Sequence, residues 1–259
     1  MAAAIVTKKH GIALAHLVAG TRSFDIKMPK EINRLVIDGL SDYLFTAGIS
    51  SNSIVSREGA ELSHVYEVGN ILMDTLRFNH NRLQRPAVMD DLKLGNGKYI
   101  VFTLNRKALI ADKENLGNMI YAMNKAAGNT PIIAVLRNNA KEVVSQLTAD
   151  MADIHIIDSL PYLEFGYLTA HAMGIITDSG NVAEEATFNN VPCITLNSYT
   201  EHIETVKQGS NILVGEDADK LEAAIKDMTG NNWKKCSLPD RWDGRTAERI
   251  VHILLNMQG

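Results

Sequence analysis

The stretch G174-IITDSGNVAEEATFNNVPCITL-196 sets the fold of this chain. Met173 to Ile176 is a short, apolar, β-branched run and reads as a buried strand, while Val182 to Phe188 carries the pattern of the helix after it. Asp178, Ser179 and Gly180 fall between them, at the strand's carboxyl end. A helix beginning there presents free backbone N–H groups and the positive end of its dipole, the place where α/β folds hold phosphate. An ordinary N-cap, with Asp178 or Ser179 satisfying the first turn, is the alternative reading of the same residues.

Working outward, strand-like runs recur at Ala13–His16, Tyr43–Thr46, Val65–Val68, Tyr99–Thr103, Pro131–Val135, Ile154–Ile157, Gly174–Thr177, Cys193–Leu196 and Asn211–Val214. Amphipathic segments at 116–127, 140–147, 162–172, 183–189 and 218–227 separate most of the later ones. Strands alternating with helices imply βαβ units, hence a parallel Rossmann-like sheet covered by helices. The polar stretch 82–98 reads as a linker or an exposed turn, and there is neither repeat nor low-complexity tract. The opening MAAAIVTKKHGIALAHLVAG reads as a helix, a turn at Gly11 and one strand. One strand cannot pair both its edges, so these residues either extend the sheet that follows or end a domain whose earlier part is absent.

Composition narrows the partners. With 259 residues, 46% of them hydrophobic, the chain can bury a substantial core. A net charge of -4 without blocks of like charge argues against nucleic acid or a membrane surface as partner. Cys193 and Cys236 lack metal-type spacing and fit free thiols in a reducing, cytoplasmic compartment. The apolar runs of the first twenty residues are too short for a spanning helix, and neither a signal peptide nor an anchor is evident.

Several motifs, taken in order, resemble the non-hydrolysing UDP-N-acetylglucosamine 2-epimerases. They are His16-Leu17-Val18-Ala19-Gly20-Thr21-Arg22, Pro29-Lys30-Glu31-Ile32-Asn33-Arg34, Val68-Gly69-Asn70 with Asp74, and Thr177-Asp178-Ser179-Gly180 with Glu184-Glu185-Ala186. Thr200-Glu201, Leu213-Val214-Gly215 and Asp243-Gly244-Arg245 follow. The resemblance implies the two-Rossmann, GT-B-type architecture. Met1 would then fall inside the last helix-strand unit of the first domain. It divides the chain into a first-domain remnant at 1–40, a nucleotide-sugar-binding domain at 41–240 and a closing helix at 241–259. The apolar face of that helix, Ile250, Ile253 and Leu254, would lie exposed or find another partner.

The family's reaction converts UDP-GlcNAc to UDP-ManNAc through loss and return of the C2 proton, a step that needs acid and base groups near neutral pKa. Where the resemblance expects such groups, this chain has Val18, Lys30 and Asn105. It therefore implies no catalytic residue at those places, and an enzyme inactive alone. The nucleotide half matches better. UDP's phosphates are placed at Ser179, Gly180 and Asn181, the ribose hydroxyls at Glu185, and uracil beside Phe165, with Arg106 and His202 completing the substrate-binding set. The implied ligand is UDP or a UDP-sugar, with neither cofactor nor metal. A separate first-domain polypeptide or a second copy of the chain would complete the cleft. A non-catalytic nucleotide-sugar-binding or interaction subunit is the alternative.

The bland readings of other residues are specific. His16 would be a satisfied core histidine, Glu31 and Arg34 an ordinary helical pair, and Asp243-Gly244 a turn before the last helix.

Overall fold

The computed structural model describes residues 1–256. Among them, nine strands form two parallel sheets, and the chain divides into two compact units. The strands are β1 (Ala15–Ala19), β2 (Tyr43–Thr46), β3 (Val65–Glu67), β4 (Ile100–Thr103), β5 (Ile132–Val135), β6 (Ile154–Ile157), β7 (Gly174–Thr177), β8 (Cys193–Thr195) and β9 (Asn211–Leu213). Eight of them lie within one residue of where the sequence places them, and β1 begins two and ends three residues later than the expected Ala13–His16.

The first unit takes residues 1–80, 201–204 and 238–259 and holds the sheet β1-β2-β3. The division expected at residue 41 is thus displaced. β2 pairs with β1, Leu44 opposite His16, and β3 pairs with β2, Tyr66 opposite Phe45, rather than either joining the later strands. The register slips between Leu17 and Ala19, and Val18 occupies the left-handed region at φ 62°. That is a rare conformation for a β-branched residue.

The closing helix, Thr246–Asn256, is part of this unit. Its apolar face is not left open: Ile250 is buried with Phe45 and Val68, and Ile253 and Leu254 pack against them. The helix start is fastened by Asp74, whose carboxylate accepts the N–H groups of Thr246 at 3.0 Å and Ala247 at 2.7 Å. This arrangement uses an anion at a helix N-terminus, where the dipole favours it. Gly69 makes the approach of the chain possible. At φ 98°, its hydrogen stands where a Cβ would lie 2.0 Å from the Arg241 carbonyl oxygen.

The second unit takes residues 81–200 and 205–237 and holds the six-stranded sheet β6-β5-β4-β7-β8-β9. Its inner strands β4, β5, β7 and β8 are buried on both faces, as parallel sheets require. Ile100, Phe102, Ile132, Ile176 and Ile194 pack toward one helical layer, and Val101, Ile133, Ile175 and Cys193 toward the other. The stretch 82–98 is neither linker nor exposed turn. It folds into a short helix, Ala87–Asp91, and buries Met89 and Leu94 against Tyr99 and Leu168. Two apolar side chains suffice to seat it, and an average over its polar neighbours hides them.

Candidate nucleotide site

The strand order of the second unit reverses at β4 and β7. From β4 the chain runs outward through β5 and β6, then returns to β7 beside β4 and continues to β8 and β9. Ligands of open parallel sheets bind outside the carboxyl ends of the strands at such a reversal. A cleft of about 350 Å³ opens there, lined by Thr103, Asn105, Val135, Arg137, Ser159, Leu160, Tyr162, Phe165, Ser179 and Val182. Every one of these follows or ends β4, β5, β6 or β7, or lies on the helix after β6 or β7.

Asp178 does not cap the helix that follows it. Its Oδ2 accepts the backbone N–H groups of Asn105 at 2.7 Å and Arg106 at 2.5 Å, and so ties the end of β7 to the end of β4. Ser179 is the N-cap residue of the helix Gly180–Phe188, yet its side chain makes no capping hydrogen bond. The ordinary-cap reading of this stretch fails on both residues. Among the described residues no side chain answers the first-turn N–H groups, so the helix offers bare donors to whatever occupies the cleft. Gly180 has an ordinary φ, and a Cβ built on it would meet nothing within 4 Å. The turn therefore tolerates a side chain at 180 while presenting none.

Glu185 lies further along the same helix, half-buried. Burial and the neighbouring Glu184 push its carboxyl up to about 7. The Tyr162 hydroxyl is raised by burial and by the charge of Glu185, so the carboxylate acts on a residue that lines the cleft. Phe165 reaches the cleft from the helix Tyr162–Ala170.

Ser179, Gly180, Asn181, Glu185 and Phe165 are thus gathered at one end of the sheet. Arg106 faces elsewhere: its guanidinium pairs with Glu216 at 3.0 Å and donates to Asn197 at 3.2 Å. His202 belongs to the first unit, buried and edge-on to Trp242 with ring centroids 5.9 Å apart. Arg137 and Tyr162 are cleft residues that sequence reasoning did not assign. Arg137 follows an apolar strand end, the position from which residues of α/β sheets reach a ligand, and that signal was legible.

The positions where acid and base groups were sought lie as follows. Lys30 forms an ion pair with Glu201, which also holds Arg34 in a bidentate pair at 2.6 and 3.0 Å. Glu31 is more than a helical partner of Arg34, since it accepts the N–H groups of Ser23 and Phe24 at 2.9 to 3.1 Å. His16 Nδ1 stands 2.5 Å from Asp38, which also accepts from Arg22 at 2.6 Å. It is a satisfied histidine. Asn105 is exposed beside the cleft.

Comparison with known proteins gives the family and the fold. The model of the UDP-N-acetylglucosamine 2-epimerase family matches residues 1–255. The chain belongs to that family. It is 35% identical to the UDP-N-acetylglucosamine 2-epimerase of Methanocaldococcus jannaschii, over 98% of this chain and 72% of that protein. A UDP-N-acetylglucosamine 2-epimerase homolog of Methanococcus maripaludis is 33% identical, over 99% of this chain and 72% of its own length. The crystal structure of the M. jannaschii enzyme in complex with UDP-GlcNAc and UDP superposes with a TM-score of 0.79, covering 98% of this chain and 72% of that one. The Neisseria meningitidis enzyme bound to UDP-GlcNAc gives a TM-score of 0.87 at 23% identity, covering 98% and 73%, and supports the fold. The architecture is accordingly α/β, Rossmann-like and of the GT-B type.

Proposed function

We propose that this epimerase-family chain binds a UDP-sugar, UDP-GlcNAc first among them, in the cleft at the β4/β7 reversal. The bare first turn of the helix Gly180–Phe188 carries the proposal. Its own flanking residues decline to cap it, because Asp178 is turned to β4 and Ser179 makes no cap bond. The diphosphate takes the N–H groups of Gly180 and Asn181 beside the Ser179 hydroxyl, since the Ser179 N–H already donates to Thr177 Oγ1 at 3.0 Å. The Glu185 carboxylate accepts the ribose hydroxyls, and Phe165 lies along the base. Since Arg106 is held by Glu216, the backbone rather than that guanidinium supplies the phosphate donors.

A second reading concerns chemistry. Moving the C2 proton requires groups that titrate near neutrality and face the sugar. Val18 carries no such group, Lys30 is neutralised by Glu201, and asparagine at 105 neither gives nor takes a proton. These observations favour a nucleotide-sugar-binding role without epimerisation by this chain alone. A partner supplying acid and base, whether another polypeptide or a second copy, would restore the family's activity.

Two measurements separate the readings. Calorimetric titration with UDP-GlcNAc should give saturable binding that Glu185→Ala abolishes, and a flat titration would end the binding proposal. Incubation with UDP-GlcNAc in deuterated water should leave the C2 proton in place. Exchange of that proton by the purified chain would reject the silent reading and restore the enzyme.

A further inference from the structure

Arg137 is a lone guanidinium on the wall of the cleft. It is exposed, it lines the cavity with Val135, Ser159, Tyr162 and Phe165, and among the described residues it makes neither ion pair nor side-chain hydrogen bond. Arginines 22, 34, 85, 106 and 249 are all engaged with carboxylates. An unpaired arginine in a cavity with aromatic walls is a group waiting for a ligand.

Its place in the sheet says which part of that ligand. Ala134, Phe102 and Ile176 are directly opposite one another across β5, β4 and β7. Arg137, Asn105 and Ser179 each lie three residues beyond, at a common level above the strand ends. Two strand spacings separate Arg137 from Ser179, about 10 Å. That distance asks an arginine to extend most of its length before it shares a phosphate with the helix N-terminus. It matches the separation of the two ends of a nucleoside diphosphate. The flanking side chains agree, since Val135, Leu160, Tyr162 and Phe165 offer apolar and aromatic surface suited to a flat ring.

We infer that Arg137 is the base-reading residue of this cleft, its guanidinium donating to the carbonyl edge of the pyrimidine. This rests on the proposal that the cleft holds a UDP-sugar. A guanidinium is planar, stacks on π-faces and only donates hydrogen bonds. It therefore suits uracil, whose ring position 4 is a carbonyl acceptor, over cytosine, which presents an amino donor there. Arg137 sets a preference for uridine over cytidine nucleotides.

The test compares UDP and CDP binding by calorimetry in the full chain and in Arg137→Ala and Arg137→Lys. Arg137→Ala should weaken UDP by roughly threefold to thirtyfold and bring the UDP and CDP affinities together. Arg137→Lys should behave like Arg137→Ala, because an ammonium keeps the charge and loses the planar fork. If lysine restores UDP affinity, or if both nucleotides weaken in the same proportion, Arg137 is a phosphate clamp and the inference is wrong. Unchanged UDP affinity in both variants overturns it as well. Glu185→Ala distinguishes the two levels. Wild-type binding of UDP that depends on Glu185 but not on Arg137 removes only the base-reading role, whereas no wild-type binding removes the cleft's proposed function with it.

Discussion

The Asp178 carboxylate accepts the backbone N–H of Asn105 at 2.7 Å, a bond between the ends of β7 and β4 that leaves the helix behind it uncapped. Asp178 and Ser179 should therefore respond to mutation in the opposite sense from a capping pair. Asp178→Ala leaves two N–H groups without their acceptor and should cost about 2 kcal/mol in urea denaturation. Ser179→Ala should change stability by less than about 0.5 kcal/mol, where loss of a true N-cap serine costs about 1. A large loss at Ser179 with none at Asp178 would show that the helix is capped conventionally.

Gly180 separates the needs of the fold from those of a ligand. Its φ is ordinary and its missing Cβ faces open space. Gly180→Ala should leave the melting temperature unchanged or raise it, by up to about 1 kcal/mol of stability, because alanine narrows the unfolded ensemble. The same methyl group stands where a phosphate would approach the N–H groups, so UDP affinity should drop. Circular dichroism melting and calorimetric titration on one preparation read both effects. A stable variant with full affinity would move the diphosphate elsewhere.

The sheet was legible in the sequence because the strands of a parallel core are continuous apolar runs, and Ile100, Ile132, Gly174 and Cys193 open four of them. The division into units was not. Tyr43–Thr46 reads the same whether it pairs with β1 or with β4, since apolar pattern specifies burial and not partner. The nucleotide turn was legible as a helix start, but whether Asp178 caps that helix or crosses to Asn105 depends on β4, some seventy residues earlier. The fastening of the last helix by Asp74 was hidden for the same reason. The place of Arg137 after an apolar strand end was legible, but that it lines the cleft was not.

Glu185 should make binding pH-dependent. Its carboxyl is held up at about 7 by burial and by Glu184, against 4.5 for an ordinary glutamate. Only the ionised form accepts two ribose hydroxyls, so ligand affinity is full above pH 7 and falls as pH drops through that value, by up to tenfold per unit. Binding below pH 7 should then release a proton. UDP-GlcNAc is the proper probe, because its diphosphate lacks the terminal group that titrates near pH 6 in UDP. Calorimetry in buffers of different ionisation enthalpy measures the proton. Glu185→Gln should bind weakly at every pH without release.

The folded state carries the opposite pH dependence at this residue. A raised carboxyl pKa means that ionising Glu185 costs stability, an effect absent below pH 4.5 and complete above pH 7. Glu185→Gln should therefore be more stable than the parent chain at pH 8 and no more stable at pH 4. Urea midpoints at those two values decide it.

Val18 stores strain that another residue would relieve. It is β-branched, sits at φ 62° and lies where β1 slips register. Val18→Asn keeps this backbone with a residue that adopts it readily, and should raise stability by about 1 kcal/mol. An unchanged or lower urea midpoint would mean that packing of the valine outweighs its backbone cost.

Glu201 gathers Lys30 and Arg34 into one cluster, and its titration should be visible in the stability of the protein. Burial alone would raise its pKa, but hydrogen bonds from Arg34 and Lys30 and the charges of both bring it down to about 2. The sign follows from the unfolded value near 4.5. Between pH 4.5 and pH 2 the unfolded chain binds a proton that the folded chain refuses, so the stabilisation is complete above 4.5 and is lost as pH falls toward 2. Partial exposure of Lys30 and Glu201 reduces the effect of that shift to roughly 1 to 2 kcal/mol. Glu201→Gln should be less stable than the parent chain by that amount at pH 7 and should converge with it near pH 2. Salt should narrow the gap at neutral pH, since the pair with Lys30 is accessible to solvent. A constant difference across the whole pH range would mean that Glu201 acts through packing and that Lys30 is not neutralised by it, which would return Lys30 to the list of charges free to act on a ligand.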